Sequence, residues 1–284
     1  MDDGVRLWVS TSSPATAAVV APVVLVHGGP GLWDYLEPVE ALVADLAVVH
    51  RYDQRGCGRS DPSEDQRLAR LVADLEALRE HLGHRRWVLV GHSFGATLAL
   101  RYAVTHADRV AGLGYLSGVG LDHTWKDEYR RERARRMSGT QQARLSELAG
   151  LPDRSPAQER ELRALAWFTD SADVGRAWEW AQQDAAVPFP VNMAANKIIN
   201  AETEAWTPAQ LGRLREQCRR LSVPALVVHG AQDPRPSRQA VDLASTIPGS
   251  ELHVLDGAGH APWRERPEQL GAVLRGWLSR LPHP

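Results

Sequence analysis

Short apolar, β-branched runs that stop at glycine, histidine or aspartate alternate along this chain with longer stretches of helical period, and that alternation most constrains its fold. The runs Val23 to Val26, Ala47 to Tyr52, Trp87 to Val90 and Val110 to Leu116 lack the polar alternation of half-exposed strands. They suit strands buried on both faces, as in a parallel sheet covered by crossover helices. Between the second and third, Leu68, Leu71, Val72, Leu75, Leu78 and Leu82 recur at helical spacing and mark such a helix. The grammar returns late, with Ala225 to His229 and Leu252 to Leu255 alternating with helical patterns at Ser237 to Ile247 and Pro267 to Leu281. Both flanks are expected to build one mostly parallel central sheet flanked by helices, an α/β fold.

The middle of the chain breaks this pattern. From Asp122 to Cys218 it is rich in arginine and glutamate, helical in period and without a convincing buried strand. The expected division is a core of 1–121 and 219–284 with an inserted helical cap at 122–218. Trp125, Trp167, Trp178, Trp180 and Trp206 are five of the chain's ten tryptophans. They are expected to pack the cap helices onto the core, the alternative being a pocket roof. The cluster Arg130, Arg131, Arg133, Arg135 and Arg136 reads as a solvated helix face.

Composition narrows the partners. A net charge of -2 over 284 residues predicts no attraction to nucleic acid or to an acidic membrane surface. The valine-rich approach to Val26 is short and contains Pro22, so it reads as a strand and not a membrane span. Two distant cysteines, Cys57 and Cys218, make no disulfide framework. With no basic segment before the first apolar stretch, a cytoplasmic location is expected. No H-E-x-x-H, paired-cysteine or P-loop pattern occurs, so neither metal nor cofactor is expected.

The chemistry concentrates where strands end. Gly91, His92, Ser93, Phe94 and Gly95 follow an apolar run and open an alanine-rich helix, a pattern that holds a serine hydroxyl outward on a strained turn. A serine needs a histidine to take its proton and an acid to orient that histidine. Asp233 follows one late strand and His260 the next, and in a parallel sheet these ends share an edge with Ser93. Asp122 is a competing orienter, whereas Asp256 stands too close to His260 in sequence to reach around it. His27, His92 and His229 also fall at strand ends. The first strand runs into His27, Gly28, Gly29, Pro30 and Gly31, so the amides of Gly29 and Phe94 are expected to form the oxyanion hole. Each such donor contributes roughly 3 kcal/mol to the transition state.

HGGPG at His27 to Gly31, DQRGCGRS at Asp53 to Ser60, GHSFG around Ser93, and the late Asp233 and His260 together resemble the α/β-hydrolase fold, and within it the proline iminopeptidase branch of serine peptidases. The resemblance implies release of an N-terminal residue, often proline, through an acyl-enzyme on Ser93. It also implies cap carboxylates that meet the substrate amine. Trp178, Glu179 and Trp180 are the nearest match to the family's cap motif, with Glu204, Glu202 and Asp184 competing for the role. Asp53 and Arg55 are expected to brace a loop. A small molecule or short peptide is the implied substrate. An esterase, lactonase or thioesterase is the second reading, and a non-turnover small-molecule receptor the third.

Overall fold

A computed structural model describes residues 1–16 and 18–282. Its sheet holds seven strands: β1 (Val9–Ser12), β2 (Val23–Val26), β3 (Val49–Tyr52), β4 (Trp87–His92), β5 (Val110–Leu116), β6 (Ala225–Gly230) and β7 (Glu251–Leu255). They lie in the order β1-β3-β2-β4-β5-β6-β7, with β1 antiparallel to β3 and the other neighbours parallel. No pattern in the sequence marks β1, an edge strand too short and too exposed to carry a buried-strand signature.

The interior strands are apolar on both faces because both faces are covered. Val24, Val26 and Leu89 point into one core beneath α2 (Leu68–His81) and α3 (Phe94–Thr105). Val23, Leu25, Val88 and Val90 point into the other, against α1 (Glu37–Ala41), α11 (Pro262–Glu265) and α12 (Pro267–Leu278). Helix α10 (Arg238–Thr246) joins the first core through Ala240 and Leu243. Each fully buried aliphatic side chain contributes about 1.5–3 kcal/mol before ordering entropy is subtracted.

Between β5 and β6 the described residues form helices and no strand: α4 (Trp125–Arg135), α5 (Gly139–Gly150), α6 (Pro156–Trp167), α7 (Ala177–Ala185), α8 (Met193–Glu204) and α9 (Pro208–Arg219). Three of them start at capping boxes legible in sequence, Ser138 with Gln141, Ser155 with Gln158 and Thr207 with Gln210.

Strand β2 lies between β3 and β4, so the chain leaves it in one direction and returns on its other side. This is a switch point, where the loops after neighbouring strands part and leave a crevice. The loops after β2 and β4 meet there closely: a Cβ on Gly95 would collide with the carbonyl oxygens of Val26 and His27, and one on Gly91 with that of Gly95. Glycine is required at both places by contact. Gly95→Ala is expected to lower stability by about 2–3 kcal/mol through overpacking, read as a reduced urea midpoint at unchanged slope; a midpoint equal to wild type would show that the two strand ends are not in contact.

Candidate active site

Ser93 sits at the turn between β4 and α3 with φ 56° and ψ -121°, a positive φ that a non-glycine residue adopts only under constraint. Its amide donates to the Leu116 carbonyl at 2.9 Å, and its carbonyl accepts from Ala96 at 3.0 Å. The side chain opens into two cavities that share Ser93 as wall, one of about 100 Å³ and one of about 370 Å³. His260 lines the larger.

His260 and Asp233 are brought together from separate strand ends. His260 Nδ1 lies 2.6 Å from Asp233 Oδ2, and the other carboxylate oxygen of Asp233 accepts from the Arg235 amide at 2.9 Å. Burial alone would raise the Asp233 pKa, but the facing His260 and Arg235 outweigh it and hold the carboxyl well below its usual range. An ionised acid at Nδ1 leaves Nε2 of His260 as the basic nitrogen. The competing acids are occupied elsewhere: Asp122 accepts from Thr124 and Gln239, and Asp256 accepts from Gln232.

Gly29 and Phe94 line the smaller cavity beside Ser93, and neither amide is engaged by another group among the described residues. The Gly29 φ of 132° and the nearness of the Gly31 and Leu32 amides leave no room for a side chain there. The loop is held from behind by Gln54, whose amide donates to His27 Nε2 at 3.0 Å and whose side chain donates to the His27 carbonyl at 2.7 Å. Asp53 in turn accepts from the amides of Asp34 and Arg59, and Arg55 pairs with Asp74 at 2.5 and 2.6 Å. The DQRGCGRS segment thus braces the glycine loop, as its sequence suggested.

A second set of groups has no signal in sequence spacing. The Gly28 amide donates to the Tyr35 hydroxyl at 2.8 Å, Tyr35 Oη lies 2.7 Å from His92 Nδ1, and His92 Nε2 lies 2.8 Å from the His260 carbonyl oxygen. A carbonyl only accepts, so Nε2 of His92 carries the proton and Nδ1 accepts from Tyr35. Burial, together with the neighbouring His260, pushes the His92 pKa well below the ordinary histidine value and keeps the ring neutral. One chain of hydrogen bonds therefore connects the glycine loop, the residue before Ser93 and the His260 backbone.

Helices α4, α6, α7 and α8 roof the site, and several residues stand elsewhere than the sequence suggested. Trp178, Glu179 and Glu204 line neither cavity. Helix α7 buries Ala177, Trp180, Ala181 and Ala185, which turns Trp178 and Glu179 to the opposite, exposed face. There Glu179 accepts from Gln183 at 3.1 Å, and Trp178 meets Phe168 edge-on. Glu204 pairs with Lys126 at the surface, and Glu202 accepts from the Leu68 amide at the start of α2. Asp184 does line the larger cavity, as does Asp170, which sequence analysis missed. Trp125 and Trp206 line the smaller cavity and Trp167 the larger, so these three tryptophans are roof and not merely packing. The arginine cluster also divides: Arg130, Arg131 and Arg135 face solvent, whereas Arg133 lines the larger cavity and Arg136 donates to the carbonyls of Thr169 and Gln232.

A protein-family model described as alpha/beta hydrolase fold matches residues 21–267, and the chain belongs to that family. It is similar to proline iminopeptidases: 30% identical to that of Neisseria meningitidis serogroup A over 92% of this chain and 89% of the relative, and 28% identical to that of Heyndrickxia coagulans over 92% and 91%. Among solved structures, the proline iminopeptidase of Mycobacterium smegmatis superposes with a TM-score of 0.70 at 21% identity, covering 97% of this chain and 95% of that one. Est816, an N-acyl homoserine lactone degrading enzyme, superposes with a TM-score of 0.68 at 21% identity over 97% and 98%. At these identities the two structures establish the fold alone; fold and sequence relatives together make this chain a hydrolase. No helix among the described residues is long and apolar enough to cross a membrane.

Tyr35→Phe removes the hydroxyl that joins Gly28 to His92 and leaves the Gly28 amide without its acceptor. Fluorophosphonate labelling of Ser93 is expected to slow about ten-fold in a variant with the wild-type circular dichroism spectrum; an undiminished labelling rate would remove Tyr35 from the working site.

Proposed function

We propose that this chain is a serine hydrolase that forms an acyl-enzyme on Ser93 and releases the N-terminal residue of short peptides or aminoacyl amides, as the names of its relatives suggest. The observation that carries the chemistry is the 2.6 Å contact of His260 Nδ1 with Asp233 beside the cavity that Ser93 opens into. His260 takes the Ser93 proton as Oγ attacks the scissile carbonyl, and the amides of Gly29 and Phe94 receive the oxyanion. His260 then gives its proton to the leaving amine, and water repeats the sequence on the acyl-enzyme. The buried free thiols Cys57 and Cys218 accord with the reducing cytoplasm read from the sequence.

Because His260 must reach the leaving nitrogen, the leaving group belongs in the larger cavity that His260 lines and the acyl residue in the smaller one. The smaller cavity suits one compact residue such as proline or alanine. Its carboxylate is Asp122, which has no lysine or arginine within ion-pair distance among the described residues. Burial would raise the Asp122 pKa, yet hydrogen bonds from Thr124 and Gln239, with the more distant Arg215 guanidinium, hold it below the usual value. An ionised carboxylate with no cation within ion-pair distance supports a substrate ammonium at that place. Asp122 thus takes the part that Glu179 and Glu204 do not.

Ser93→Ala is expected to lower kcat on proline and alanine arylamides by about 10⁴-fold or more, and Asp233→Asn by about 10⁴-fold through the wrong histidine tautomer. Asp122→Asn is expected to reduce kcat/KM about ten-fold on substrates with a free amine and to spare their N-acetylated counterparts. Glu179→Gln, on the outer face of α7, is expected to stay within about two-fold of wild type. Arylamides that remain inert while simple acyl esters are cleaved would overturn the aminopeptidase part and keep the serine hydrolase.

A further inference from the structure

The larger cavity carries a charge imbalance that the proposed chemistry leaves unused. Arg133, Arg235 and Arg264 line it. Two are neutralised in place: Arg264 donates twice to Asp184 at 2.8 Å, and Arg235 donates to Asp170 at 2.9 Å. Arg133 has no carboxylate within ion-pair distance among the described residues. Its Nη2 donates to the Ala166 carbonyl at 3.3 Å, its guanidinium carbon lies 5.5 Å from the Tyr129 ring centroid, and its Nε is buried with no partner. On the same helix Arg130 pairs with Asp127 and Arg135 with Glu132, and Arg131 faces solvent and not the cavity.

A guanidinium on the wall of a substrate cavity with no carboxylate partner of its own matches the planar, two-oxygen geometry of a carboxylate. Its side of the site decides which part of the substrate it meets. His260 lines the same cavity and must protonate the leaving nitrogen, so Arg133 faces the leaving group. We propose that Arg133 binds a carboxylate on the leaving group, which makes short peptides with a free C-terminus, dipeptides and tripeptides, the preferred substrates. This rests on the aminopeptidase reading above. The two unpaired charges around Ser93 then stand at opposite ends of a zwitterion, Asp122 in the acyl cavity and Arg133 in the leaving-group cavity.

The test is a ratio, which cancels any general loss of activity or folding. In wild type, kcat/KM for alanyl-alanine is expected to exceed that for alanyl-alaninamide about ten-fold, the discrimination expected of a charge-assisted hydrogen bond. In Arg133→Gln the ratio is expected to collapse toward one, and in Arg133→Lys to fall between, because charge is kept while the fork is lost. A wild-type ratio near one, or a ratio that survives in Arg133→Gln, overturns the proposal. If every amide is inert and esters are hydrolysed, the aminopeptidase reading fails instead. The same contrast between O-acetyl-lactate and O-acetyl-lactamide then decides Arg133 by the same two outcomes.

Discussion

The rest of the site depends on one steric contact, the packing of the Gly95 backbone against the carbonyls that end β2. It brings the turn after β4 to the loop after β2, so Ser93 and the Gly29 amide occupy one crevice. Side chains at 91 or 95 would separate them, and Ser93 would lose the neighbours that hold its positive φ. The strain at Ser93 is maintained by the buried strands on either side, whose register pairs Val26 with Gly91 and His92 with Leu116.

The helical roof is tied to the same machinery, most tightly beside the histidine. The His260 amide donates to the Asp170 carbonyl at 2.8 Å, and Glu265 accepts from Gly259 on one side and from Ala172 and Asp173 on the other. Arg136 spans from Thr169 to the Gln232 carbonyl next to Asp233. At the opposite end, Asn196 donates to the Pro30 carbonyl, and Asn192 donates to those of Gly31 and Gly56. Residues outside the core strands therefore position both the histidine loop and the glycine loop.

Much of the core was legible. Strands β2 to β6 lie on the apolar runs of the sequence because burial on both faces forces largely apolar sequence, whereas the edge strand β7 leaves Leu252 and Val254 exposed. Ser93, Asp233 and His260 were legible for a related reason, since each follows such a run and a parallel sheet aligns those ends. The roof was not. Glu179 fitted a motif, yet its helix buries the stripe through Ala177, Trp180 and Ala181 and turns Glu179 away. Arg133 was read with its neighbours as solvated, and only docking of α4 on the site turns it inward. Tyr35 carried no pattern and His92 showed only as a strand-end residue beside Ser93, because the hydrogen bonds that join them link residues far apart in sequence.

The sequence by itself determined the parallel sheet, the serine elbow and the placing of Ser93, Asp233 and His260 at strand ends along one sheet edge. These follow from local rules of burial periodicity and tight-turn geometry that act within a few residues. Tertiary structure alone decided which charges line the two cavities beside Ser93. That choice depends on how amphipathic helices dock and on which carboxylates find arginines, and both are set by contacts between distant segments. Asp122 and Arg133 are left unpaired around Ser93 while Glu204, Asp184 and Asp170 are paired, a distribution no spacing in the chain foretold.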